Sequence, residues 1–460
     1  MAITIRNNAD TPNMANNRLV YTISSTKSSQ PQFRMILDIL DNNGDLLQRL
    51  KQQPNKSNAG VFDIGQIVTN YLGPTDRIWD TTADNTPALN AFCADEFRIR
   101  FGEEYASTVT GIPAIYTGET PEAAGEPQVS ASHYNYFING HWNPNQSGFD
   151  WVYQTKYDEE DTYGLPTFNH QNGLTQFTTN DVRLGDYHTV SILNGNLRGE
   201  ANADIDNGFA QDVFAMQIKQ YDSTGTILSA DILYNLTLRG APTELWDDVY
   251  LNQTYRTRLL HWGVGPQNLE DGGIAIDPST SYYIVTFHNQ SAEPGVNDDG
   301  IWSTHRFDIV DRECDFEGVR FAWKNQYGVW DYYNFELAES TTSNITRESY
   351  EQNFVDYGTT YAATWDPERR GLSQFQNRIE KNRTAESGYL NQTEADLLRE
   401  LFYSTDVYIQ NPNGTVANNN TFLPVVITNA SITEKTNPRS QKLFRFTAEY
   451  KYASDQQARV

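Results

Sequence analysis

The groups in this 460-residue chain that could do chemistry are mostly carboxylates. The run Asp158-Glu-Glu-Asp161 could hold a cation, or supply the acid and base of glycoside hydrolysis. That reaction needs two carboxylates at a fixed separation across a sugar, and a run of charge along the chain is more commonly a solvated loop. Asp204-Ile-Asp-Asn-Gly208 starts like a calcium loop, but its glycine comes one position early and no glutamate stands at the twelfth place, so it reads as a turn. The seven histidines, His133, His141, His170, His188, His261, His288 and His305, show no helical i, i+4 metal pair. His288 and His305 fall on predicted strands and could meet across a sheet. Cys93 and Cys314 stand far apart, neither in a CxxC pair; a disulfide between them stays open, and each reads as a small buried residue. No Gly-x-Ser-x-Gly elbow, Walker loop, GxGxxG or HExxH occurs. The expectation is a protein without catalytic residues, metal or cofactor.

The densest concentration of side chains with binding potential is aromatic. Phe321-Ala-Trp-Lys-Asn-Gln-Tyr-Gly-Val-Trp-Asp-Tyr-Tyr-Asn-Phe335 reads as two strands joined by a turn at Asn325-Gln-Tyr-Gly328, where Gly328 supplies the positive φ. Phe321, Trp323, Trp330, Tyr332 and Tyr333 could stack on a sugar; aromatic clusters more often fill a core or an interface.

The elements around these residues are mainly strands. Phe33-Arg-Met-Ile-Leu-Asp-Ile-Leu40, Glu96-Phe-Arg-Ile-Arg-Phe101 and Lys442 to Tyr452 alternate apolar and polar positions. Asp212 to Tyr221 runs through Asp222-Ser-Thr-Gly225 into Thr226 to Tyr234 as a hairpin. Two helices are predicted: a short one with its apolar residues at Ile64, Ile67, Val68 and Tyr71, and one over 393–403 with Thr393 as N-cap and a stripe of Leu397, Leu398, Leu401 and Phe402. The Pro-, Gly- and Glu-rich stretch 117–127 reads as an exposed loop or a boundary. The expected organisation is all-β and multi-domain, of Ig-like or jelly-roll-like sandwiches with one or two short helices: an N-terminal domain over 1–125, a middle domain over 126–315 and a C-terminal β domain over 316–460.

Composition sets the outer limits. Twenty-seven tyrosines against four methionines suit sheets and adhesive surfaces. A net charge of −25 argues against nucleic-acid binding and against docking on anionic membranes. No apolar run is long enough for a membrane span, and Met1-Ala-Ile-Thr-Ile-Arg-Asn-Asn has no apolar signal core, so the expectation is a chain made in a cytoplasm.

Three blocks resemble structural, tail-associated virion proteins of tailed bacteriophages, especially those of Bacteroidetes-type hosts. They are Gln30 to Gly73, the hairpin Phe321 to Phe335, and Leu390 to Tyr450 with its Leu423-Pro-Val-Val-Ile-Thr428 and Phe444-Arg-Phe-Thr-Ala-Glu-Tyr450. The resemblance implies a non-enzymatic protein of the tail, collar or adsorption apparatus, present in the virion in repeated copies and bridging other virion proteins. A capsid decoration or head fibre, and a carbohydrate-binding or depolymerising protein facing a host surface glycan, are the alternatives.

Overall fold

A computed structural model describes residues 3–7, 13–41, 44–73, 88–89, 93–117, 133–141, 174–193, 213–234, 259–289, 301–310, 318–337, 339–351, 355–357, 363–365, 371–411, 421–429 and 444–454. The protein is all-β and built of several largely antiparallel sheets, with three helices among the described residues. Asp158–Asp161, Asp204–Gly208 and Cys314 lie outside the described residues, as does most of the stretch 117–127. Contacts divide the chain into two units. One holds Met1–Asp311 with Trp323–Asp331, and the other Arg312–Ala322 with Tyr332–Val460.

The first unit contains two sandwiches. In one, a three-stranded sheet (Ile3–Asn7, Val20–Ser25, Ala59–Asp63) faces a sheet running in the order Asn13–Met14, His133–Ile138, Ala94–Tyr105, Arg34–Leu40, Leu46–Gln52. Alternation explains the fit: Tyr21, Ile23 and Phe62 from the first sheet meet Met35, Leu37, Ile39, Phe97, Ile99 and Phe101 from the second in one core. In the other sandwich, the order is Thr179–Val182, Ile301–Ile309, Tyr282–Asn289, Val213–Tyr221, Ile227–Tyr234. This five-stranded sheet shares a core with Thr189–Leu193 and Leu259–Gly263 of a three-stranded sheet, through Ile218, Tyr283, Phe287 and Phe307 on one side and Val190, Ile192 and Trp262 on the other.

The sheets cross the boundary expected near residue 125. His133–Ile138 pairs antiparallel with Ala94–Tyr105, and Ala88–Leu89 pairs with Leu259–Gly263. A third core joins Met14, Cys93, Ala94 and Ile138 to Leu174, Leu259, Tyr327 and Val329. Loop composition marks where a chain is exposed. It does not report which strands pair across the loop.

The remaining large sheet, most of it in the second unit, runs Trp330–Phe335, Val319–Lys324, Val407–Gln410, Phe422–Ile427, Thr447–Tyr452, Leu372–Glu386, Glu339–Glu351. That unit's longest helix is Gln392–Tyr403. The cap is Asn391 and not Thr393: Asn391 Oδ1 accepts from Glu394 N–H at 2.9 Å, and Glu394 Oε2 accepts from Asn391 N–H at 2.9 Å. A reciprocal capping box satisfies two orphan N–H groups, where a lone threonine would satisfy one. The short N-terminal helix spans Gly65–Thr69, and Asp63 accepts from the N–H of Gly65. A third helix, Pro266–Asp271, starts with proline at its first turn and is too short to show a period.

On the polar side of the Arg34–Leu40 strand, Asp38 is fully buried between two cross-strand arginines. Arg49 donates to it at 2.6 and 2.8 Å, and Arg100 at 2.9 Å. The Asp38 carboxylate holds the Arg49 guanidinium above its ordinary pKa by accepting its hydrogen bonds. Asp38→Ala strands two partly buried cations. It is expected to cost the first unit roughly 3 kcal/mol, read as a lower urea midpoint of that unit's transition; an unchanged midpoint refutes it.

Candidate functional site

The aromatic hairpin is a packed element. Its strands run Val319–Lys324 and Trp330–Phe335, and Gly328 turns the chain at φ +81°. Phe321, Trp323, Trp330 and Tyr332 are buried, and Tyr333 is half-buried. Both faces of the strands are covered, which explains why apolar and aromatic residues run almost without alternation. Phe321 makes edge-to-face contacts with Phe335 (4.8 Å between centroids) and Tyr450 (5.3 Å). Tyr332 meets Phe422 at 6.1 Å, and the Arg320 guanidinium lies 5.3 Å over the Tyr332 ring. Trp323 stands edge-on to Phe177 at 6.0 Å. None of the four buried rings is presented to a sugar.

The turn is closed by Asn325. Its Oδ1 accepts from the N–H groups of Tyr327 and Val329, and its Nδ2 donates to Leu174 O and Asp331 Oδ2, both at 3.0 Å. Asp331 Oδ1 in turn accepts from Gln176 N–H at 3.0 Å. Gly328 is required here twice over, by its positive φ and because a Cβ would strike the backbone of Asn139.

The histidines are dispersed. His288 and His305 do not meet: His305 pairs with Val285 and contacts Phe287 on the core face, while His288, the next residue after Phe287, lies on the opposite face. His141 is exposed; for His133 only the strand is described, and His170 lies outside the described residues. His261 comes closest to a catalytic geometry, with Nδ1 2.7 Å from Ser191 Oγ. Both residues are fully buried, and His261 Nε2 has no hydrogen-bond partner among the described residues, so no third group orients the ring. The pair is a packed hydrogen bond across the Thr189–Leu193 and Leu259–Gly263 strands. Cys93 is buried in the third core of the first unit. Among the described residues no cluster of His, Cys, Asp and Glu could hold a metal ion, and no helix is long and apolar enough to cross a membrane.

The feature that remains is a β-ribbon that no sequence pattern announced. Glu339–Glu351 pairs with Leu372–Glu386 along its full length, from Glu339↔Ala385 to Glu351↔Leu372. At about 3.4 Å per residue this ladder extends about 40 Å. Only its base is part of a wider sheet, where Arg383–Glu386 pairs with Thr447–Tyr450. There Glu339 Oε1 accepts from Arg383 and from Tyr450 Oη, each at 3.0 Å, and Ser340 and Thr384 share a hydroxyl contact. Burial, aided by the Glu339 carboxylate, pushes the Tyr450 hydroxyl well above the ordinary tyrosine range. Beyond the base the ribbon is two-stranded among the described residues, and every residue of Glu339–Glu351 is exposed. It displays Ile345, Tyr350, Leu372 and Phe375, the last 73% exposed. One face carries a shallow hollow lined by Thr346, Glu348, Gln376, Arg378 and Glu380.

Sequence reasoning missed the ribbon because its strands are polar on both faces, so neither the helical nor the alternating template fires. The available signal was β-propensity without amphipathicity: Thr341, Thr342, Ile345, Thr346 and Tyr350 in one run with no glycine or proline.

No protein-family model matches the chain, and no curated protein matches it.

Burial pushes the His261 pKa down from 6.5 to about 3. The unfolded chain therefore binds a proton below pH 6.5 that the folded one refuses, and stability present above pH 6.5 is lost as pH falls toward 3. Between pH 6.5 and 5 the loss amounts to about 2 kcal/mol. Urea midpoints across that range should fall for the wild type and fall less for His261→Gln; equal slopes for both would refute the assignment.

Proposed function

We propose that this protein is a non-enzymatic structural component of a tailed-bacteriophage virion, placed in the tail, collar or adsorption apparatus, and that it joins its neighbours through the ribbon Glu339–Glu351/Leu372–Glu386. The observation that carries this is the ribbon itself. Two-stranded ribbons are marginal in water on their own, and this one buries neither face while exposing Ile345, Tyr350, Leu372 and Phe375. Such an element gains its ordering when another surface covers it or extends it by strand addition. The similarity of three sequence blocks to tail-associated virion proteins supplies the setting. The partners are then other virion proteins and further copies of the chain.

A host surface glycan is the second reading. The polar hollow over Thr346, Gln376 and Arg378, on a ribbon that also exposes Phe375, favours it.

Mass spectrometry and antibody-labelled microscopy of purified phage particles test the first reading. The protein is expected in repeated copies at the tail. A variant with 342–382 replaced by a tight turn is expected to fold yet fail to enter particles. Absence from particles, or normal incorporation of the shortened variant, would refute it. Binding of the wild type but not the shortened variant on an array of host polysaccharides would establish the glycan reading instead.

A further inference from the structure

We propose that the outer edge of Glu339–Glu351 pairs antiparallel with the same edge of a second copy of this chain, about a two-fold axis at Ser343. The inference rests on the ribbon's role in assembly proposed above and names its partner.

Three observations lead to it. First, the edge is open among the described residues. Glu339–Glu351 is the last strand of its sheet, and among the described residues it pairs only with Leu372–Glu386. It has neither a lysine nor a proline, and the register shift at Glu348/Ser349 places the extra residue, Phe375, on the other strand. Of the devices that guard an edge against strand addition, lysine and proline are missing from it, and the charges that remain, Glu339, Arg347, Glu348 and Glu351, are of both signs.

Second, charge favours meeting here. The chain carries −25, so two copies repel over most of their surface. In the two-stranded part, 342–351 and 372–382, the acids Glu348, Glu351 and Glu380 are matched by Arg347, Arg378 and Lys381, which makes it neutral. Residues directly opposite share a face, so Thr341, Ser343, Ile345 and Arg347 lie with Asn377, Ile379, Lys381 and Arg383. That stretch of face has cations and no carboxylate; Glu339 and Glu351 stand at its two ends.

Third, the positions of the charges choose a register. A two-fold antiparallel pairing centred on Ser343 sets Glu339 opposite Arg347 of the second copy, twice, and Ile345 opposite Thr341. A centre at Ile345 sets Glu339 against Glu351, and one at Arg347 sets that arginine against itself, both unfavourable. Centres at Thr342, Asn344 and Thr346 pair no charge with its opposite. A centre at Ser349 does pair Arg347 with Glu351, but over only 347–351, against 339–347 for Ser343.

Directly opposed residues in an antiparallel pair bring their Cα atoms to ~4.5–5.5 Å, within the span of a disulfide. Full-length Ser343→Cys protein under mild oxidation is therefore expected to form a disulfide joining residue 343 of two copies, identified by mass spectrometry of the linked peptides. Its yield should exceed that of Ser349→Cys severalfold, because only residue 343 opposes its own copy in this register, and adding Ile345→Lys should lower it by placing a further cation on the face that already holds Arg347, Lys381 and Arg383. A wild type that stays monomeric by light scattering, or Ser349→Cys linking as fast as Ser343→Cys, overturns the proposal. Its failure is separable from failure of the virion role. A protein present in particles but unlinked at residue 343 loses only this contact, and a linked dimer absent from particles loses only the virion assignment.

Discussion

The hairpin 319–335 can bury aromatics on both faces only because its turn satisfies its own polar groups, and that depends on one amide. Asn325 uses all four of its hydrogen-bonding positions: two to close the turn, one to Leu174 O and one to Asp331. Asp331 then fixes Gln176 N–H. A buried network of this kind is favourable only when complete, since each unpaired group inside costs about as much as a hydrogen bond returns. With the turn pinned, Tyr327 and Val329 can join the core of Met14, Cys93, Ile138 and Leu259, and residues distant in sequence share one hydrophobic centre. The same rule governs Asp38, a buried carboxylate tolerated because Arg49 and Arg100 approach it from the strands on either side.

These interactions mark where the sequence could and could not be read. The all-β class, the hairpin strands with their turn at Gly328, and the helix near 393–403 follow from local signals: alternation, a positive-φ glycine, an apolar stripe. The Asn391 cap was legible in principle, since Asn391 is followed three residues later by Glu394. Partners across long separations were not. Nothing local says that Ala88–Leu89 will pair with Leu259–Gly263, or that Leu174 O will meet Asn325. The aromatics of 321–335 were legible as packing or interface residues. The choice between those needed burial, and burial puts four of the five inside.

The ribbon shows the opposite failure. Its strands lack the feature that makes strands visible in sequence, an apolar face, because among the described residues they have no core to face. That property also gives them their functional interest. The strands of the two sandwiches are held by a facing sheet through a shared core; along 342–351 the described structure supplies one edge and nothing more. Cross-strand pairs such as Ile345–Ile379 and Thr346–Arg378 each contribute only about 0.2–1 kcal/mol, against roughly 1–2 kcal/mol of backbone entropy for each residue ordered.

That imbalance turns a structural oddity into an argument about assembly. A segment that is marginal in the isolated chain is stabilised by a second surface, because extending a ladder adds backbone hydrogen bonds along its whole length. Charge decides what that surface can be. A strip of zero net charge on a molecule carrying −25 is where a like-charged neighbour can approach with least repulsion. The placement of Glu339 and Arg347 eight residues apart on one face then turns tolerance into preference, since a two-fold operation about their midpoint brings each to its opposite. An isologous contact of this kind is closed. Growth beyond a pair would have to use a different surface, and the exposed Leu372 and Phe375 on the other strand of the ribbon are the apolar side chains best placed to provide it.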